Sequence, residues 1–327
     1  MSQKQIVDRL SKLKQLTSQW GIYQHGKLDQ PDPTFGYALD DQARALIIAF
    51  CFEDSALMKL YLNFINNAGG GDVFYHYFYD NKEGIAPDIR YLASEDALGM
   101  AGWALMTTKL ADDAAPLLTF ILKQAEDWVY VRSMAYLLLG LTEVADGPLE
   151  DMLVTKILDG YQSLNDWRWF EKKLVYGDAV IPWALWRRAR VRGDQKSLQV
   201  ATETTKFLLD VCREGNIPAP IGNKGWYHYG HKKSLYDQQP IDAAYMVCCL
   251  EEALIATGDH FYLDEAKRWW SWFWGNNTKG VVLIDKNNGC YDGVTDSPEK
   301  VNLNQGAEST ICYLMAYLAA RRLGLVK

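Results

Sequence analysis

Five short clusters of acids and amides stand where aromatic-rich loops run into apolar helical text: Asp40-Asp41-Gln42, Glu95-Asp96, Trp169-Phe170-Glu171, Asp237-Gln238-Gln239 and Asn302-Leu303-Asn304-Gln305. Carboxyl groups gathered in one place do acid-base work. One of them is kept protonated by crowding and burial, while another stays ionised to activate water or attack carbon. Glu171 and Glu308 are the first candidates for that chemistry, with Asp41 beside them. Glu171 follows two aromatic rings that can exclude water, and Glu308 sits behind a polar Asn-Gln-Gly lead-in. The residues do not say which is acid and which is base.

Around these, further acids, amides and aromatic rings would complete one acidic, aromatic-walled pocket if the helix starts converge. Asp40, Glu95, Asp96, Asp237, Asp242 and Asp292 are the further acids; Gln238, Gln239, Asn223, Asn304 and Gln305 are the amides. Trp169, Trp226 and His228 supply rings, and Trp20, Tyr23, Tyr37, Tyr75, Tyr77, Tyr227, Tyr229 and Tyr236 are further candidate walls. Each feature also has a plainer explanation. Asp40, Glu95 and Asn302 could be helix caps or first-turn acids, Asp40 and Arg44 form an i,i+4 pair, and aromatic rings commonly fill cores.

Helical periodicity supplies the elements that must hold these residues. Twelve segments read as helices, at about 3–19, 38–53, 54–68, 94–110, 112–126, 129–145, 148–164, 171–192, 195–212, 237–257, 260–276 and 303–323, and little alternates as strands do. The even-numbered segments are apolar nearly all round and the odd ones amphipathic, which predicts six inner helices ringed by six outer ones in a single domain over 1–327. Connections from even to odd segments are short; most of those from odd to even are long. The loops over 20–37, 69–93, 213–236 and 277–302 would therefore gather at the end where inner helices begin.

Composition limits the function classes. The chain has 327 residues, 49% of them hydrophobic, enough for a large core without staples. A net charge of -7 argues against nucleic acid or an anionic membrane as partner. No apolar run reaches the roughly 18 residues of a membrane span, and 1–19 lacks the apolar stretch of a signal peptide, so a cytoplasmic protein is expected. Cys51, Cys212, Cys248, Cys249 and Cys312 lie in apolar helical text and read as reduced core thiols. His228-Tyr229-Gly230-His231 lacks further ligands at metal spacing, and Gly69-Gly70-Gly71-Asp72 lacks the surroundings of a phosphate loop. Neither metal nor cofactor is expected.

The stretches Gly36 to Leu46, Trp167 to Glu171, Asp237 to Ala243 and Asn304 to Thr310 resemble a bacterial family of six-hairpin, (α/α)6-barrel glycosidase-like proteins. Related segments of that family also occur fused behind glycosyltransferase domains. The resemblance implies an all-α (α/α)6 toroid and a carbohydrate ligand. The implied activity is an inverting glycoside hydrolase for a short oligosaccharide, bound at the N-terminal ends of the inner helices. The same barrel also carries phosphorolysis and epimerisation, and the fused relatives imply a non-catalytic carbohydrate-binding module serving a glycosyltransferase partner. Sugar epimerases of this barrel use histidines on inner helices. Here His25, His76, His228 and His231 read as loop residues and His260 as the start of an outer helix, which counts against that activity.

Overall fold

Helices that are apolar on every side can only be inner helices, and the computed structural model, which describes residues 9–70, 72–144 and 146–326, shows that alternation. Residues 3–8 of the first expected segment, Gly71 of the glycine run and Ala145 at the end of another segment lie outside the described residues. Among the described residues there are twelve α-helices: α1 Ser11–Leu16, α2 Leu39–Cys51, α3 Ser55–Asn66, α4 Glu95–Thr107, α5 Ala115–Gln124, α6 Val131–Leu141, α7 Pro148–Gly160, α8 Val180–Arg192, α9 Gln195–Val211, α10 Pro240–Thr257, α11 His260–Trp270 and α12 Ala307–Arg322. In α4 every residue from Ala97 to Met106 is buried. In α3 only Leu57, Tyr61, Phe64 and Ile65 are, a single stripe at helical spacing.

The contacts cluster into two units, one over 1–153 with 304–311 and one over 154–303 with 312–327. In the first, α2 packs on α3 and on α4, and α4 packs on α5 and α6. The approach of α4 to α6 depends on small residues. A Cβ added at Gly99 would stand 2.6 Å from the Ser133 carbonyl oxygen, and one at Gly140 2.8 Å from the Trp103 Cα.

In the second unit, α8 packs on α9 and α10, and α10 on α11. The Arg187-to-Arg192 run does more than favour the C-terminal dipole of α8. Arg187 and Arg190 hold the buried Glu252 of α10 at 3.0 and 2.5 Å, and Arg322 of α12 holds the neighbouring Glu251.

The long loops carry short strands that the helical period did not show, the longest among the described residues having five residues. Strand β1 (Tyr37–Ala38) pairs antiparallel with β2 (Tyr77–Asn81), which pairs in turn with β3 (Gly84–Pro87). Tyr37 faces Phe78 and Ala38 faces Tyr77 in that register. Two expectations need correction. The segment expected to start near residue 171 becomes helical only at Val180, because 167–169 and 173–174 are taken into strand pairing. None of the six cysteines is joined in a disulfide, but Cys51, in the last turn of α2, is exposed and not a core thiol.

Candidate functional site

The first unit brings three of the expected acids onto one cation. Leu39 opens α2, so Asp40 and Asp41 fall in its first turn, where unsatisfied N–H groups and the helix dipole favour carboxylates. The β1–β2 pairing fixes what lies beside them: Leu39 N donates to the His76 carbonyl at 3.0 Å, and His76 Nε2 lies 3.2 Å from Asp40 Oδ1. The start of α12 is tied to the loop around residue 26, with Gln305 N on the Leu28 carbonyl at 2.9 Å and Ala307 N on the Gln24 carbonyl at 3.0 Å. Gly26 is required there, since a Cβ would come within 2.3 Å of the Gln305 carbonyl oxygen. Glu308 follows in the first turn of α12.

Arg44, one turn into α2 and only 1% exposed, joins these acids. Its Nη2 donates to Asp41 Oδ1 at 2.9 Å and to Asp40 Oδ2 at 3.1 Å, and its Nη1 donates to Glu308 Oε2 at 3.2 Å. One guanidinium cannot balance three carboxylates, and the environments divide the charge unequally. Asp41, 3% exposed, is raised well above the ordinary aspartate range by burial and then by the charge of Asp40, with Glu308 adding to it and Arg44 opposing. Asp40 is also penalised by burial, but the His76 hydrogen bond and the charges of Arg44 and His76 outweigh that and bring it down to about 2. A carboxyl pushed toward its protonated form beside one held toward its ionised form is the separation of roles that acid-base chemistry uses.

Aromatic rings flank the cluster. His76 stacks on Tyr77 with ring centroids 4.2 Å apart, and Tyr91 meets Tyr77 edge-on at 5.5 Å. The Tyr77 phenol is raised by burial and by the charges of Asp40 and Asp41. Glu308, with its side chain 36% exposed, is the most open of the three carboxyls.

The other expected residues of the first unit have structural partners. Asp96 accepts from Arg132 Nε at 2.9 Å and from the Ser133 hydroxyl at 2.5 Å, tying the starts of α4 and α6. Glu95 accepts from the Tyr130 N–H at 3.3 Å, and Asn304 accepts from the Leu28 N–H at 2.9 Å. Gln305 is buried.

In the second unit Glu171 is half-buried in a bend, not at a helix start, and its carbonyl accepts from Trp167 Nε1 at 2.8 Å. The α8 start is occupied instead by Gly177 and the buried Asp178, which accepts from the Val175 N–H at 2.7 Å. Gly177 N donates to Asp242 at 2.7 Å. Trp169, 1% exposed, is packed against Phe170 and Phe207, so it is core and presents no face for a sugar. Gln238 is likewise buried and spent on the Leu235 carbonyl, Thr278 and Trp272. Asp237 lies 3.4 Å from Lys224, which also meets Asp296. Trp226 is half-buried against Tyr176, while Asn223 and His228 are exposed, His228 in a two-residue strand paired with Lys173. Gln239 caps α10 through its backbone, and Asp292 precedes the strand Gly293–Val294.

Sequence reasoning missed three residues of these clusters. Arg44 read as half of a local pair, His76 as a distant loop histidine, and Asp178 was overlooked although Gly-Asp just before an apolar run is a helix-start signal.

The sequence matches no family model and no curated protein. Solved structures do resemble the chain. A cellobiose 2-epimerase from Bacillus thermoamylovorans superposes with a TM-score of 0.71 at 12% identity, covering 99% of each chain. A sugar epimerase from a ruminal bacterium does so with 0.67 at 14% identity, covering 98% of this chain and 99% of the other. An α-1,6-mannanase from Salegentibacter gives 0.62 at 10% identity, covering 98% of each. At such identities the likeness is one of fold, and the chain has the six-hairpin glycosidase-like (α/α)6 fold.

Proposed function

We propose that the protein is a carbohydrate-active enzyme, a glycoside hydrolase that acts on a short oligosaccharide at the Asp40–Asp41–Arg44–Glu308 cluster with inversion of configuration. The observation that carries this reading is the single buried guanidinium shared by three carboxyls, one pushed to keep its proton and a neighbour held ionised. In this scheme the proton on Asp41 goes to the leaving oxygen, and Glu308, the most open carboxyl, takes a proton from the attacking water. Arg44 fixes both carboxyls in direction and limits their mutual repulsion. The fold, shared with a protein named as a mannanase, supports a saccharide as the substrate class.

Incubation with aryl glycosides and with gluco- and manno-oligosaccharides is expected to release sugar whose first-formed anomer, followed by NMR, is opposite to that of the substrate. Glu308→Gln should lower kcat by about 10²- to 10⁴-fold, the usual range for losing a general base. Wild-type rates in that variant would remove Glu308 from the reaction.

A second reading, sugar epimerisation, is favoured by one contact. His76 lies 3.2 Å from Asp40 within the same cluster, although its place in a loop counted against it in the sequence. A histidine paired with a carboxylate can remove a proton next to a sugar carbonyl, and two proteins of the same fold are named as epimerases.

A further inference from the structure

At the turn from β2 into β3 lies an open cleft of about 440 Å³, within the size range of small-ligand sites, and the cluster chemistry above makes no use of it. Trp20, Tyr23, Asp80, Asn81 and Lys82 line it. Trp20 is 37% exposed, and its ring lies beside Gly84 of β3, where an added Cβ would stand at ordinary contact distance, 3.4 Å.

Asp80 is oriented by two phenols. Tyr23 donates to its Oδ2 and Tyr37 to its Oδ1, each at 3.0 Å, and the two tyrosine rings stack at 4.7 Å. A carboxylate oxygen with one donor keeps capacity for another, so the exposed Asp80 can still accept from a hydroxyl in the cleft it lines. A flat indole beside a fixed pair of acceptors matches the apolar face and vicinal hydroxyls of a pyranose. Phosphate fits poorly, since Asp80 and Glu83 outnumber Lys82 in the lining.

The cleft is joined to the acid cluster by covalent structure. Tyr37 is two residues before Leu39 and the start of α2, and β2 begins immediately after His76. Asp80 is four residues beyond His76, about 13 Å along an extended strand, a span of the order of a disaccharide.

We propose that this cleft is a second saccharide subsite, binding a neutral pyranose ring of the same oligosaccharide remote from the bond that reacts. The proposal rests on the carbohydrate reading of the Arg44 cluster, and it makes affinity depend on chain length through Trp20.

The test is calorimetric titration of the wild type, Trp20→Ala, Trp20→Phe and Asp80→Asn with gluco- and manno-oligosaccharides of increasing length, alongside turnover assays of the wild type and Glu308→Gln. In the wild type, affinity should rise with chain length. Trp20→Ala should remove roughly tenfold of that gain, as expected for losing one stacked ring, while Trp20→Phe keeps most of it and Asp80→Asn weakens it. A length-dependent gain that survives in Trp20→Ala overturns the subsite and leaves the hydrolase standing if turnover still requires Glu308. Trp20-dependent binding with no turnover by the wild type supports the subsite and overturns the hydrolase. Absence of any saccharide binding by the wild type overturns both.

Discussion

Arg44 and Glu308 are 264 positions apart in sequence, yet the Nη1 of one lies 3.2 Å from the Oε2 of the other. The contact joins the first turn of α12 to the first two turns of α2, and it converts a local i,i+4 pair into a shared anchor for three acids. An arginine suits this place because its fork can reach several carboxylates at once and it does not lose its charge.

Removing that anchor should therefore destabilise the fold as well as the site. Arg44→Met leaves Asp40, Asp41 and Glu308 without their common cation, and breaking a buried ion pair from one side costs about 3–5 kcal/mol. Urea unfolding should show a midpoint lowered accordingly with an unchanged slope. Arg44→Lys should fall between the two, because a point charge cannot serve both Asp41 and Glu308 as the fork does.

The two aspartates pull stability in opposite directions with pH. Asp40 is lowered from 3.8 to about 2, so its contribution is present above 3.8 and is lost as pH falls toward 2; it is worth on the order of 2 kcal/mol. Asp41 is raised, so its contribution is full below 3.8 and declines as pH rises toward its folded-state value. Asp41→Asn removes that decline. Chemical denaturation across pH 3 to 8 should show the variant gaining stability relative to wild type as pH rises, and a constant difference would contradict the raised Asp41.

Gly99→Ala tests the approach of α4 to α6 independently of the site. The new Cβ would lie 2.6 Å from the Ser133 backbone oxygen, which cannot rotate away as a side chain would. Helix propensity favours alanine by up to about 1 kcal/mol, but overpacking costs about 1–3 kcal/mol. A net loss in Tm is expected by differential scanning calorimetry. A gain would mean that the two helices separate without cost.

How far the sequence reached follows from which contacts are local. The inner-outer alternation was visible because a helix buried all round, such as α4, leaves a different pattern from the single stripe of α3. The acids in the first turns of α2 and α12 were visible for the same reason, as polar residues just before apolar periods. The start of α8 was not. Residues 171–176 carry helix-compatible side chains that hid the Gly177-Asp178 start signal, and only the pairing of 173–174 with 227–228 draws the chain before it into a strand. His76 could not be assigned to Asp40 because that contact depends on the β1–β2 register. Trp169 misled because stacking on a ligand and packing against Phe207 demand the same residue type.

His76 offers the sharpest division between the two activities. If the cluster hydrolyses glycosides, His76 positions Asp40, and His76→Gln should lower turnover modestly, by about tenfold, since a neutral amide can still meet Asp40 Oδ1. If it epimerises sugars, His76 handles the transferred proton itself, and the same variant should lose about 10²- to 10⁴-fold. Reactions run in D2O separate the cases by NMR. Epimerisation places deuterium on the carbon next to the carbonyl, and His76→Gln abolishes that incorporation. Hydrolysis leaves every ring carbon protonated and changes only the anomeric signal. Deuterium uptake that persists undiminished in His76→Gln would exclude His76 as the base, and absence of uptake in the wild type would end the epimerase reading of this cluster.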